Sequence, residues 1–229
     1  MWSLLPGAVT AELLAGSGPD YVVVDLQHGA MSETELPGVA AAILAAGAVP
    51  LVRTRSAQHA DIGRPLDLGA QGVLVPNVRG AGEVRDVVAA CRYGPAGRRS
   101  AGRLAGGVAD PLVMIVLETA ESLDDLDAVL AVDGLDGIYV GPSDLSLSLG
   151  RAGPEDRDHM QSVISSIIGR AVAAGMPVGV HAPDGAEQAI RYAGQGATIV
   201  TAAVDTSVLT ESVRQHLALA RASGSPAAR

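Results

Sequence analysis

"YVVVDLQHGAMSETELPGVAAAILAA", residues 21–46, runs a block of strand-forming residues into a stretch of helical period, with Asp25, Gln27, His28 and Gly29 at the junction. The uninterrupted Tyr-Val-Val-Val block lacks the alternation of a half-solvated strand and suits a strand buried on both faces, as parallel strands are. The spacing predicts a strand over 21–27 and a helix over 32–46. The same unit recurs along the chain. Strands are expected at 49–54, 71–76, 112–118, 137–141, 177–182 and 197–204, with a weaker one at 2–5. Helices are expected near 59–69, 81–93, 121–131, 156–174, 184–194 and 206–222, and Gly or Pro marks most junctions. About eight βα units is the count of a closed parallel barrel. An open doubly wound sheet gives the same alternation, but it usually carries a Gly-rich fingerprint after its first strand, and no G-x-G-x-x-G opens a helix here. The expected fold class is therefore α/β, a single (β/α)8 TIM barrel over residues 1–222, with 223–229 as a flexible tail.

The 229 residues fit one such barrel, since these domains reach roughly 200 to 250 residues. Hydrophobic residues make up 48% of the chain but aromatics only 2%, and Phe is absent. The core must then be built from Val, Leu, Ile and Ala. A net charge of −9 with scattered arginines argues against nucleic acid as a partner. Cys91 is the sole cysteine, which excludes an internal disulfide and a thiolate metal site. A reducing cytoplasm is the expected location. No stretch approaches the roughly 18 apolar residues of a membrane span, so no membrane partner is expected. The start, "MWSLLPGAVTAELLAG", lacks the positive charge of a secretory signal and is expected to belong to the domain.

Parallel barrels keep their chemistry at the C-terminal ends of the strands, where the βα loops converge. That test selects Asp25 and His28 after 21–27, Arg53 at the end of 49–54, Glu118 at the end of 112–118, and Asp144 just past 137–141. Asp25 with His28 reads either as a carboxylate orienting an imidazole for proton transfer or as a capping Asp beside a loop His. Arg53 suits bidentate binding of a carboxylate or a developing oxyanion, and equally a structural ion pair. Glu118 follows a largely apolar run, where a carboxylate is costly to bury without a cation or donor. Carboxylates from adjacent strands, Glu118 and Asp144, suit a hard divalent ion that keeps several waters, Mg²⁺ or Mn²⁺, in preference to zinc. Each alone also fits a cap or a salt bridge. Of the other histidines, His59 falls at a helix start, His159 and His216 fall within helices, and His181 ends strand 177–182 at the mouth. Cys91 falls on the buried side of its helix, as an inert packed thiol.

The motifs "DLQHG" (25–29), "PLVR" (50–53), "LDLGAQGVLVPNV" (66–78), "RYGPAGRRS" (92–100), "LET" (117–119), "DGIYVGPSDLSLSLG" (136–150) and "GATIVTAAVDTSVL" (196–209) stand in order over residues 8–220. In this the chain resembles the HpcH/HpaI aldolases, metal-dependent class II pyruvate aldolases such as those for 4-hydroxy-2-oxoheptanedioate and 2-dehydro-3-deoxyglucarate. The resemblance implies a barrel of the phosphoenolpyruvate/pyruvate-domain type. It implies that His28 is the acid/base acting on the aldol hydroxyl through a metal-bound water, with Asp25 orienting it. By the same resemblance Arg53 clamps the pyruvate and steadies its enolate, Glu118 and Asp144 bind Mg²⁺, Mn²⁺ or Co²⁺, and backbone groups of Gly141, Pro142 and Ser143 hold the pyruvate carboxylate. Asp67 would be a supporting group near the site. A homo-oligomer, trimer or hexamer, is implied, with helix 206–222 as a contact.

The implied substrates are pyruvate and an aldehyde, joined in or cleaved from a 4-hydroxy-2-oxo acid. The chain contains no lysine, which excludes a Schiff-base mechanism. Three features depart from the pattern: Gln27 where many relatives place Glu, Val116 where they place Gln, and a short segment over 101–110. Two alternatives stay open at this point. One is a CoA-thioester lyase or oxo-acid decarboxylase on the same scaffold, and the other a catalytically silent ligand-binding barrel.

Overall fold

Tyr21–Asp25 forms a fully extended strand because its β-branched residues pack well on a pleated surface and lose little there. The structure is a computed structural model and describes residues 1–102, 108–182 and 185–222. Its eight strands are β1 (Trp2–Ser3), β2 (Tyr21–Asp25), β3 (Val49–Arg53), β4 (Gly72–Val75), β5 (Leu112–Leu117), β6 (Gly137–Val140), β7 (Val178–His181) and β8 (Ile199–Thr201). They pair in parallel in chain order, β1 to β8. The ring closes where Val204, just past β8, bridges Trp2 and the Trp2 amide donates to Ala203 O at 3.0 Å. This is the expected (β/α)8 barrel.

The helices are α1 (Ala8–Gly16), α2 (Leu36–Ala45), α3 (His59–Asp67), α4 (Ala81–Cys91), α5 (Ala120–Asp124), α6 (Leu126–Leu130), α7 (Pro142–Ser148), α8 (Arg157–Ala173), α9 (Ala186–Gly194) and α10 (Asp205–Ala222). Two of them were not expected. α1 buries only Ala11 and Ala15 while Val9 and Leu13 face outward, so its sequence carries no inward apolar stripe. α7 is written "PSDLSLS", whose alternation mimics a strand, yet Pro142 at the first helical position starts a helix that buries Leu145. The helix expected over 121–131 is two. Asp125 leaves the helical course so that its carboxylate accepts from the Ala81 amide at 2.8 Å, capping α4 from outside. α2 starts four residues late, because Glu35 reaches back to the Ser32 amide at 3.0 Å and holds that stretch as a separate turn. Pro65 sits near the end of α3.

Two apolar shells result. Trp2, Val23, Leu51, Leu74, Met114, Val116 and Tyr139 fill the barrel, while the opposite faces of the strands pack under the helices. Cys91 lies in the outer shell, where burial pushes its thiol up to about 12, so it is inert as expected. Residues 103–107 of the segment 101–110, and the tail 223–229, fall outside the described residues. Among the described residues no helix is long and apolar enough to cross a membrane.

Candidate active site

Side chains alternate along a strand, so the inward set continues in steps of two toward the C-terminal mouth. Two residues beyond Val23 stands Asp25, beyond Leu51 stands Arg53, and beyond Val116 stands Glu118. Beyond Tyr139 stands Gly141, and beyond its register partner Gly179 stands His181. With His28 and Asp144 from the following turns, they line one cavity of about 270 Å³. The sequence-derived site residues Asp25, His28, Arg53, Glu118, Asp144 and Gly141 to Ser143 all meet there.

One side of the mouth is fully paired. Asp25 is completely buried, and its Oδ1 accepts from Arg53 Nε at 3.0 Å and from the amides of Gln27 at 2.9 Å and His28 at 3.1 Å. Its Oδ2 accepts from Trp2 Nε1 at 3.0 Å and from Arg53 Nη2. Burial alone would raise the Asp25 carboxyl, but the bonds and charge of Arg53, then Trp2 and the His28 amide, outweigh it and hold the group below the usual carboxylate range. The guanidinium in turn lies 5.1 Å over the Trp2 ring. The expected role of Asp25 is thereby corrected: its bond to His28 is to the backbone amide, not the imidazole. The carboxylate aims the Arg53 fork and ties down the turn that carries His28. Gly29 is required in that turn because a Cβ there would collide with the Asp25 carbonyl.

The other side is unpaired. Glu118 is 2% exposed, and its Oε1 accepts from the Asn77 amide at 2.8 Å. Burial raises its carboxyl; the Asn77 amide opposes this, and the charge of Asp144 adds to it. Asp144 lies exposed in the first turn of α7. Thr119 caps α5 by accepting from the Ser122 amide at 3.1 Å, which fixes the chain directly after Glu118. Gly141 leaves room for Glu118, since a Cβ there would stand 2.9 Å from Oε2 and 3.1 Å from Val116. A buried Glu118 carboxylate that feels the charge of Asp144, with no cation bonded to either, is costly by itself and fits a hard divalent ion. Among the described residues no three His, Cys, Asp or Glu side chains converge, so most positions around such an ion would fall to water and substrate.

Asp67 is not in the mouth. It pairs with Arg99 at 2.8 Å along α3 and lines a separate cavity with His59 and Arg64. Four contributors had not been singled out: Trp2, Asn77, Tyr139 and Thr201. Trp2 is the only tryptophan of the chain, and that rarity was the available signal. Asn77 takes a left-handed φ of 57°, which Asn tolerates, to turn its amide onto Glu118. Tyr139 lies 5.5 Å from Trp2 and bonds Thr201 through its hydroxyl, closing the floor of the cavity.

A family model described as HpcH/HpaI aldolase/citrate lyase matches residues 1–212. The chain is 36% identical to the hydroxypyruvate/pyruvate aldolase of Rhizorhabdus wittichii, over 96% of this chain and 93% of that protein. It is 35% identical to a 4-hydroxy-2-oxo-heptane-1,7-dioate aldolase of Salmonella dublin, over 91% and 84% of the two chains. Its fold superposes on a solved HpcH/HpaI aldolase/citrate lyase family protein from Burkholderia cenocepacia with a TM-score of 0.88, at 26% identity over 96% and 94% of the two chains.

Proposed function

The chain belongs to the HpcH/HpaI aldolase/citrate lyase family and is a carbon–carbon lyase of the aldolase type, and from that premise we propose how its own residues carry the reaction. The substrate pair is a pyruvate enolate and an aldehyde, joined in or released from a 4-hydroxy-2-oxo acid. The observation that carries the reading is the opposition, across one cavity, of an arginine fixed by Asp25 and the uncompensated carboxylates Glu118 and Asp144. Those two carboxylates hold a divalent cation, Mg²⁺, Mn²⁺ or Co²⁺, which when bound supplies Lewis-acid stabilisation of enolate charge. Arg53 presents guanidinium donors to the oxygens of the oxo acid, and Asp25 and Trp2 keep them in place without reorganisation during the reaction. Pro142 has no N–H, so the amides available to the pyruvate carboxylate are those of Ser143 and Asp144 in the opening turn of α7.

His28, exposed at the rim, takes the proton of the C4 hydroxyl in the cleavage direction. The C3–C4 bond breaks, the aldehyde departs, and its electron pair remains as the pyruvate enolate, which is then protonated at carbon. In the joining direction His28 returns the proton to the new hydroxyl. The exposed row Leu209, Val213 and Leu217 on α10 supports assembly into a homo-oligomer, a trimer or hexamer, which light scattering tests. The buried, unpaired Cys91 fits a reducing cytoplasm.

The test is exchange of the pyruvate methyl protons in D₂O with Mn²⁺ or Mg²⁺ added, followed by NMR. Exchange that EDTA abolishes and that Arg53→Ala and Glu118→Ala remove supports the reading. Absence of exchange and of aldol turnover with every metal tried overturns it.

A further inference from the structure

Asp205 is the first residue of α10 and is only 4% exposed. Its Oδ2 accepts from the Ser3 hydroxyl at 3.1 Å and from the amides of Leu4 and Leu5, each at 2.9 Å, while its Oδ1 accepts from the Thr206 amide at 2.7 Å. A buried carboxylate is costly to keep unless donors converge on it, and three of these four come from the exit of β1 at the other end of the chain. β1 is two residues long, too short to hold its own exit by strand pairing. What Asp205 grips leads directly to the turn that carries His28. The Leu4 carbonyl accepts from the Ala30 amide at 2.8 Å, and a Cβ on Gly29 would stand 3.3 Å from the same oxygen. Asp25 thus holds the near end of that turn, through the Gln27 and His28 amides, and Leu4 holds the far end.

We propose that Asp205 is a positioning residue for His28: by clamping Ser3, Leu4 and Leu5 it sets where the Leu4 carbonyl stands, and through Ala30 the reach of the imidazole into the mouth. This rests on the aldolase reading, with His28 as its proton carrier. The His28 ring has no hydrogen-bond partner among the described residues, so its place is set by the backbone beneath it. Proton transfer needs the two heavy atoms within about 2.6–3.2 Å. A turn displaced by about 1 Å therefore loses rate. Affinity for the oxo acid is untouched by that displacement, because Arg53, Glu118 and Asp144 stand at the ends of β3 and β5 and on α7, away from the clamp.

The experiment uses the full chain with Mn²⁺ and reads cleavage of 4-hydroxy-2-oxopentanoate to pyruvate and acetaldehyde. Asp205→Ala lowers kcat by about tenfold or more and leaves KM within about twofold. Asp205→Asn, whose carbonyl oxygen can take the Ser3, Leu4 and Leu5 donors and forgoes only Thr206, recovers part of kcat. The same Asp205→Ala change made in His28→Ala costs less than about twofold more, since the group it positions is already gone. A merely structural role would cost the same factor in both backgrounds, and that result overturns the proposal. Amide hydrogen exchange reads the clamp without activity: Asp205→Ala speeds exchange at Ala30 by about tenfold or more while the amides of β4 and β5 keep their protection. If Asp205→Ala does not fold, Asp205→Ser, whose hydroxyl is too short to span the three donors, reads the same quantities. A wild type that cleaves no 4-hydroxy-2-oxo acid with any metal overturns the aldolase reading, and this inference with it; unchanged exchange at Ala30 overturns this inference alone.

Discussion

Asp25 and Glu118 are the same kind of residue in nearly the same situation: each is an inward carboxylate, buried, at the end of a barrel strand. Asp25 receives five donor contacts, two of them from a guanidinium, while Glu118 receives one backbone amide and faces another carboxylate. Their carboxyls are accordingly displaced in opposite directions, Asp25 down and Glu118 up. The contrast separates a half of the mouth whose carboxylate is hydrogen-bonded to its counter-charge from a half whose carboxylate feels Arg53 only through space, with no cation bonded to it. The first is framework for the arginine. On the proposed reading, the second is completed by a cation from solution.

The largest break in this contrast is Arg53→Met. It strands the Asp25 carboxylate in the interior, and removing one partner of a buried pair costs about 3–5 kcal/mol. Urea unfolding at pH 7 reads the loss, and a change below about 1 kcal/mol would show that the pair does not frame the site. The pH dependence has a fixed sign. Asp25 is depressed in the fold, so the stability it contributes is present above the ordinary carboxylate value of 3.8 and is lost as pH falls through its lower folded value. Arg53→Met therefore flattens the acid limb of the wild-type stability profile.

Next in size is the response of the unpaired half to metal. A cation bound only by the folded chain stabilises it by about 2.7 kcal/mol at a hundredfold excess over its Kd. The expected outcome is a rise in Tm of wild type with Mn²⁺ that Asp144→Asn and Glu118→Gln abolish. Arg53→Met, though weaker overall, should keep the rise. A rise of the same size in all four proteins would place the cation elsewhere.

A smaller effect is expected at Trp2→Phe, which keeps a ring beneath Arg53 but removes the N–H donor to Asp25. A hydrogen bond to a charged group contributes about 1.5–3 kcal/mol, so a loss of about 2 kcal/mol in unfolding followed by circular dichroism is expected. Loss of the donor should also lower kcat, because the Asp25 carboxylate that aims the guanidinium is then itself less firmly held.

Trp2 also marks where the sequence could be read and where it could not. The barrel was legible because continuous Val/Ile/Leu runs at regular intervals have few other uses, and Asp25, His28, Arg53, Glu118 and Asp144 were legible because polar residues at strand ends stand out against those runs. α1 was hidden because its buried face is only Ala11 and Ala15, and α7 because "DLSLS" has the period of a strand. Asn77 acts through a backbone amide, which leaves no trace in side-chain chemistry. Trp2 lies in a two-residue strand too short to carry a pattern, and its contacts to Asp25, Arg53, Tyr139 and His181 all come from distant segments. The task given to Asp25 was misread for a related reason. Spacing along "DLQHG" puts Asp25 near His28, but only the β2–β3 pairing, Asp25 opposite Arg53, shows which neighbour takes its oxygens.

The smallest expected effect is the most specific to the unpaired half. Glu118→Gln without metal removes a buried charge beside Asp144 while keeping an oxygen for the Asn77 amide. The substitution should stabilise the protein by about 1 kcal/mol at pH 7, the increment common when a functional residue under strain is replaced. Glu118 is raised in the fold, so what it contributes is fully present below the ordinary Glu value of 4.5 and is lost as pH rises through the folded value. The advantage of Gln is therefore absent in acid and grows toward neutrality, opposite to the profile expected from the Asp25 side. Saturating Mn²⁺ should reverse the order, since the wild type gains the cation and the variant does not. If Gln stabilises equally at pH 4 and pH 7, the gain comes from packing, and the charge contrast between the two halves of the mouth is not what sets it.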